Sequence, residues 1–105
     1  MVTQQAAIET VRAFVKELQA QGIQLRKVIL YGSVARNAQT EYSDIDVALV
    51  SDQFTGVGFI DIPLFVKALR NHYIIQPRTF STEDFMNGDA FAEEVKKTGI
   101  EIPLQ

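Results

Sequence analysis

An apolar run, KVILY at residues 27–31, ends abruptly at the pair Gly32-Ser33. Its apolar residues do not alternate with polar ones, which is the pattern of a strand covered on both faces. A glycine directly after such a strand lets the backbone turn tightly. The run therefore predicts an interior strand flanked by helices, followed by a turn and one or two helical turns over residues 33–38.

A second run, SDIDVALV at residues 43–50, has a split character. Ile45 and its odd-numbered neighbours point to one face of the predicted strand, whereas Asp44, Asp46 and Ala48 point to the other. The connection between the two runs is too long for a tight hairpin and short for a full crossover. Their relative direction therefore stays open.

Helical spacing is found before and after these strands. Apolar residues recur at helical intervals over 8–18 and Gly22 follows as a stop, so Thr3–Gln21 is predicted as an amphipathic helix. Another helix is predicted from about Asp61, with Pro63 in its first turn. Its predicted apolar face consists of Leu64, Phe65, Ala68 and Leu69.

The last third of the chain predicts one more strand and two short helices. Residues 73–80 (YIIQPRTF) form the strand, and Pro77 favours an edge position or the end of pairing. Ser81 is predicted to cap the next helix, and Asp89 to cap the last one, which runs to Gly99.

These elements predict a mixed α/β (α+β) fold, with a small mixed sheet of three or four strands flanked by helices. We expect residues 1–105 to be a single domain. With 47% apolar and 22% charged residues, the chain can form a modest core without disulfides or metals.

Composition also excludes several kinds of function. The formal net charge of −3 gives no general attraction to nucleic acid, so a nucleic-acid partner is not expected. The absence of cysteine excludes disulfides, thiolate nucleophiles and zinc–cysteine sites. No stretch approaches the length of a membrane span, so we expect a soluble cytoplasmic protein. The oligomeric state stays open.

The two aspartates are the candidate metal ligands. Asp44 and Asp46 are two residues apart on one strand face, so their Cα atoms lie roughly 6.5 to 7 Å apart. Two carboxylates so close raise each other's pKa unless a cation neutralises them. Magnesium fits, because it needs one or two carboxylates and takes phosphate oxygens as further ligands. The alternative is that Asp44 caps a turn and Asp46 is solvated.

The Gly-Ser pair is the candidate phosphate site. If a helix begins at Ser33 or Val34, its unpaired N–H groups form an anion site and the serine hydroxyl adds a donor. A plain N-cap is the alternative for Ser33, and the two roles can coexist. Arg36 could reach a nucleotide phosphate or be a solvated charge at the helix end. Phosphates here would lie near a metal at Asp44 and Asp46, as metal-assisted nucleotidyl transfer requires.

Residues 31–50 resemble the DNA polymerase β-type nucleotidyltransferase superfamily, whose signature is Gly-Ser, about ten residues and Asp-x-Asp. Here ten residues separate Gly32-Ser33 from Asp44-Ile45-Asp46. The small size makes the chain most similar to the minimal nucleotidyltransferases, which are often encoded beside a helical HEPN partner. The resemblance implies the polymerase β-like fold, with Mg²⁺ and a nucleoside triphosphate at the two aspartates and phosphates at Gly32 and Ser33.

The superfamily's full catalytic set includes a third acidic residue on a later strand, which holds metal and can act as general base. The pattern places Gln76 at that position, and glutamine cannot accept a proton at neutral pH or supply a formal charge. Residues 62–82 contain no acidic residue, which leaves Asp61 as the remaining, weaker candidate. Arg78, on the same strand face as Gln76, could contact a triphosphate or be a surface charge.

Two functions follow from the resemblance. The first is a Mg²⁺-dependent nucleotidyltransferase that moves a nucleoside monophosphate from a nucleoside triphosphate, ATP by resemblance, to a hydroxyl acceptor. The implied acceptor is a tyrosine of a HEPN-type toxin, with this chain as antitoxin. The second is a nucleotide- or partner-binding antitoxin that has lost catalysis through Gln76.

Overall fold

The computed structural model describes residues 2–104. Its helices are α1 (Gln4–Ala20), α2 (Gly32–Ala35), α3 (Gly58–Asp61), α4 (Val66–Asn71), α5 (Thr82–Met86) and α6 (Ala90–Thr98), with a 3-10 turn at Ile62–Phe65. Its strands are β1 (Leu25–Tyr31), β2 (Ile45–Ser51), β3 (Ile75–Ser81) and β4 (Ile100–Glu101). No helix in this described range is long and apolar enough to cross a membrane.

The strands form one mixed sheet in the order β3-β2-β1-β4. β1 is antiparallel to both of its neighbours, whereas β2 and β3 are parallel. The length of their connection leaves the relative direction of the first two strands open, and the structure shows that they are antiparallel. β3 lies at the sheet edge, as Pro77 predicts, because proline cannot donate a ladder hydrogen bond. The predicted mixed sheet flanked by helices is confirmed.

Both faces of the sheet are covered. The larger core lies under α1 and α4, and a smaller core lies under α5 and α6. Alternation along β2 separates them, because Ile45, Val47 and Leu49 belong to the larger core and Ala48 to the smaller one. Asp46 shares the face of Ala48 and therefore lies on the α6 side, at the beginning of the strand.

The first helix has the predicted limits. The Thr3 hydroxyl accepts a hydrogen bond of 3.0 Å in its first turn, and Gly22 takes a φ of 87° after its end. At the end of α4, both Asn71, at 2.7 Å, and His72 contact the Glu17 carboxylate. These side chains join the two helices that cover the larger core.

The helix predicted from Asp61 is wrong in its start and in its continuity. The helical segment begins at Gly58 and passes through the 3-10 turn before α4. Pro63 has no N–H for an α-helical hydrogen bond, and Phe65 leaves the helical region with φ −139° and ψ 28°, so the segment breaks. Helical spacing places Leu64 on the apolar face, but the break leaves it 51% exposed.

The last two helices begin at the predicted caps. Ser81 Oγ accepts the N–H of Asp84 at 3.1 Å, and the Asp89 carboxylate accepts two N–H groups at 2.8 and 3.0 Å. After α6 the chain continues into β4, which adds two residues to the free edge of β1. A strand this short has no alternating pattern that the sequence could reveal.

Candidate active site

The Gly-Ser pair and the aspartates meet where β1 ends and β2 begins. Because the two strands are antiparallel, the end of one lies beside the start of the other. Tyr31, the last residue of β1, pairs with Asp46, and Gly32 follows directly. Residues that are separated by a loop in the sequence are therefore neighbours in the sheet.

Gly32 occupies a position that no other residue fits without strain. Its φ is 77°, in the region that L side chains rarely adopt. A Cβ at this position would collide with Oδ2 of Asp46. Glycine is therefore required both by the backbone conformation and by the closeness of the Asp46 carboxylate.

The turn after β1 is the single helical turn α2, which begins at Gly32, one residue earlier than expected. Tyr31 occupies the N-cap position, so the N-cap interpretation of Ser33 is wrong. The Ser33 hydroxyl instead lies 3.3 Å from the Ser43 hydroxyl, which also accepts the N–H of Thr40 at 2.9 Å. These contacts hold α2 against the loop that leads into β2.

The two aspartates differ in environment, since Asp46 is half-buried and Asp44 is exposed. Burial raises the pKa of Asp46 above its ordinary value, and the charge of Asp44 raises it further, while Arg36 lowers it. The ionised form of Asp46 therefore lowers the stability of the free protein at neutral pH. This cost disappears as the pH falls through the raised folded-state pKa. A bound cation would relieve the same cost at neutral pH.

The carboxylates present at this site suit a magnesium ion that arrives with phosphates. Among residues 2–104, no group of three or more His, Cys, Asp or Glu side chains could hold a metal. Magnesium requires only one or two carboxylates, whereas a zinc site usually needs at least three protein ligands. Asp44 and Asp46 therefore fit the hard divalent cation rather than zinc.

Gln76 lies beside Asp46 on the neighbouring strand. β2 and β3 are parallel and in register, with Ile45 paired to Ile75 and Asp46 to Gln76. Paired residues of adjacent strands point to the same face of the sheet. The place at which the sequence pattern expects a third carboxylate therefore holds a neutral amide.

Residues 8–99 match the family described as nucleotidyltransferase domain. The chain belongs to this family. Its fold is similar to a 1.40 Å crystal structure from Sulfolobus solfataricus, assigned as a candidate nucleotidyltransferase, with a TM-score of 0.69 and 18% identity. The match covers 93% of this chain and 80% of that one, and it confirms the predicted fold. A search of curated proteins found no match.

Asp61 does not replace the third carboxylate in this nucleotidyltransferase domain. It is fully buried and accepts four hydrogen bonds of 2.7 to 3.0 Å, from the Thr55 N–H and hydroxyl, the Gly56 N–H and the Thr79 hydroxyl. Burial raises its pKa, but the hydrogen bonds outweigh burial and keep the pKa below its ordinary value. Thr79 pairs with Leu49 of the larger core, so Asp61 lies on the side of the sheet opposite Asp46.

The surroundings of Arg78 and Tyr31 are the part of the nucleotidyltransferase site that the sequence does not reveal. The Arg78 guanidinium lies over the Phe91 ring, 4.2 Å from its centroid. Burial raises the pKa of the Tyr31 hydroxyl, Asp46 raises it further, and Arg78 lowers it. Residue spacing places Arg78 on the same face as Gln76, but it gives no signal that the first turn of α6 lies above it.

Proposed function

We propose that this nucleotidyltransferase domain binds Mg²⁺ and ATP at the junction of β1 and β2 and transfers AMP to a hydroxyl acceptor. The observation that carries the proposal is the half-buried Asp46 carboxylate, which lies against Gly32 and has a raised pKa. A metal ion with a triphosphate would neutralise this carboxylate. Membership of the family supports nucleotidyl transfer in general.

Each residue of the site has a distinct role in the proposal. Asp44 and Asp46 supply oxygen ligands to Mg²⁺, which when bound neutralises phosphate charge. Gly32 lets a phosphate approach the backbone, and the Ser33 hydroxyl can donate to a phosphate oxygen. Arg36 adds a positive charge close enough to lower the pKa of Asp46.

The transfer makes one bond and breaks one bond. The acceptor hydroxyl oxygen bonds to the α-phosphorus of ATP, the bond from that phosphorus to the bridging oxygen breaks, and pyrophosphate leaves with the electron pair. The proton of the hydroxyl passes to water, because Gln76 cannot accept it. Positioning and charge neutralisation supply most of the rate enhancement in phosphoryl transfer, so we expect a slow reaction without a third carboxylate.

We expect the acceptor to be a tyrosine of a HEPN-type helical protein, with this chain as its antitoxin. The class of partner comes from the resemblance of residues 31–50 to minimal nucleotidyltransferases. Exposed apolar side chains after β2 support a protein partner, since such side chains clustered on a surface mark interaction sites. Phe59 is 83% exposed, Ile60 50% and Leu64 51%.

A second candidate function is a nucleotide- or partner-binding antitoxin without transfer activity. The pairing of Gln76 with Asp46 favours it, because the place of the third carboxylate carries no charge. In this case Asp44 and Asp46 would hold a metal with its nucleotide, and the chain would inhibit its partner by contact alone.

Incubation of the purified chain with Mg²⁺, ATP labelled at the α-phosphate and the product of the adjacent gene separates the two functions. We expect label on that product, dependent on Mg²⁺ and absent with Asp44→Asn. A stable complex without label would contradict the transferase and support the second function. If the experiment shows no label and no complex, both functions are contradicted.

A third carboxylate at position 76 should accelerate the transfer. Gln76→Glu restores a group that can accept the acceptor's proton, and general bases contribute about a hundredfold or more where they are well placed. We expect a rise of about tenfold in the labelling rate, because the geometry around Gln76 is not built for a base. Gln76→Met, of similar size without a charge, is the control, and an equal rate in both variants would contradict the assignment of this position.

A further inference from the structure

Arg78 is an exposed cation held in place by aromatic rings. Its Cζ atom lies 4.2 Å from the centroid of Phe91 and 5.8 Å from that of Phe80. These two rings stack at 6.2 Å with an interplanar angle of 13°, and Tyr31 meets Phe91 edge-on at 5.5 Å. A guanidinium held over a ring by a cation–π contact has lost part of its freedom before any ligand arrives.

The hydrogen-bond donors of Arg78 are unused. A contact between a guanidinium and a ring face uses none of its N–H groups for a conventional hydrogen bond. In the described part of the chain, the ring contacts are its only direct interactions, without a hydrogen bond or an ion pair. Arg26, by contrast, pairs with Asp52 at 2.7 Å. A fixed cation with free donors is the arrangement of an anion-binding residue.

Arg78 lies near Asp46, one of the two proposed metal ligands. It pairs with Ala48, two residues beyond the pair formed by Asp46 and Gln76, on the same face of the sheet. Strand spacing and rise place its Cα atom about 8 Å from that of Asp46. Residues 2–104 form no ion pair between these two charges.

We propose that Arg78 binds a phosphate group of the nucleotide, on the Gln76 side of Asp46. The inference rests on the proposed function. Along this face the carboxylates would hold the cation and Arg78 the anion, so the charges are complementary to a metal–phosphate ligand. The neutral amide of Gln76 between them adds no negative charge beside such a phosphate. In this proposal Arg78 makes the edge strand β3 a phosphate-binding edge of the site.

Isothermal titration with two ligands tests the proposal. ATP and inorganic triphosphate, each with Mg²⁺, are titrated into the wild-type chain and into Arg78→Gln. We expect the variant to bind both ligands about tenfold more weakly, since one charged hydrogen bond contributes an effect of that size. Arg78→Lys should restore part of the affinity, because it keeps the charge without the planar donors. Arg78→Met, which can keep the packing against Phe91, replaces the Gln variant if that variant does not fold.

Arg70→Gln is the matched control, because Arg70 is exposed on α4, on the other side of the sheet, and its loss changes the net charge equally. We expect its affinities to stay within about twofold of wild type, as long-range charge is screened. An equal loss in this control, or unchanged affinities in Arg78→Gln, would overturn the inference. A loss confined to ATP would overturn it as well, because Arg78 would then contact the base. If the wild-type chain binds neither ligand, the proposed function fails and the inference fails with it.

Discussion

Replacement of Gly32 by alanine is expected to weaken the binding of Mg²⁺-ATP and to lower the melting temperature. Alanine at a φ of 77° costs about 1 to 2 kcal/mol. Its Cβ would also displace the Asp46 carboxylate, with which it collides. Mutation of groups that orient a metal ligand typically costs about 10- to 100-fold in metal affinity, so we expect Mg²⁺-ATP to bind at least about tenfold more weakly. Calorimetric titration and thermal unfolding measure the two effects.

Gly22→Ala separates backbone strain from the collision. Gly22 has a φ of 87°, but no atom lies within 4 Å of the place where its Cβ would be. The control should lose a similar amount of stability from strain and keep its affinity for the nucleotide. If Gly32→Ala binds Mg²⁺-ATP as tightly as Gly22→Ala does, nucleotide binding does not depend on the closeness of Gly32 and Asp46.

The second large effect is expected on stability, from Asp61→Ala. The change leaves four donors without their acceptor, on Thr55, Gly56 and Thr79. The Thr79 hydroxyl is buried and would lose its charged acceptor, whereas the donors of Thr55 and Gly56 are on exposed residues, so the free energy of unfolding should fall by about 2 to 3 kcal/mol, measured in urea at neutral pH. The pKa of Asp61 is lowered in the folded state, so its contribution is present at neutral pH and is lost as the pH falls through that pKa.

Asp52→Ala is the control for Asp61→Ala, since it also removes one carboxylate. Asp52 is exposed and paired with Arg26, and exposed ion pairs contribute little to stability. We expect little change in its unfolding. If Asp61→Ala unfolds like wild type but loses nucleotidyl transfer, Asp61 is a catalytic carboxylate and its structural assignment is wrong.

Local patterns predict most of the fold. The alternation from Ile45 to Leu49 predicts the two faces of β2, and the caps Ser81 and Asp89 predict where the last two helices begin. These signals succeed because each depends on a few neighbouring residues. The direction of β2 depends on long-range packing, which local spacing does not contain. The break after Pro63 is a local effect, but helical spacing alone does not reveal it.

The candidate site divides in the same way. Gly32 and Asp46 can be found from the sequence, because a turn glycine and paired carboxylates have residue types and spacing of their own. The position of Gln76 is predicted from the pattern, and the parallel register with β2 places it beside Asp46. The stacking of Arg78 on Phe91 has no such signal, because it arises only when α6 packs over β3.

Calorimetric titration of ATP into the wild-type chain and into Asp46→Asn, with and without Mg²⁺, tests the central claim most directly. We expect binding that requires both Mg²⁺ and Asp46. The Asn variant should melt at the same or a higher temperature, because it removes a half-buried carboxylate whose ionised form is unfavourable in the free protein. Binding of Mg²⁺-ATP by Asp46→Asn with wild-type affinity would contradict a nucleotide site at the junction of β1 and β2.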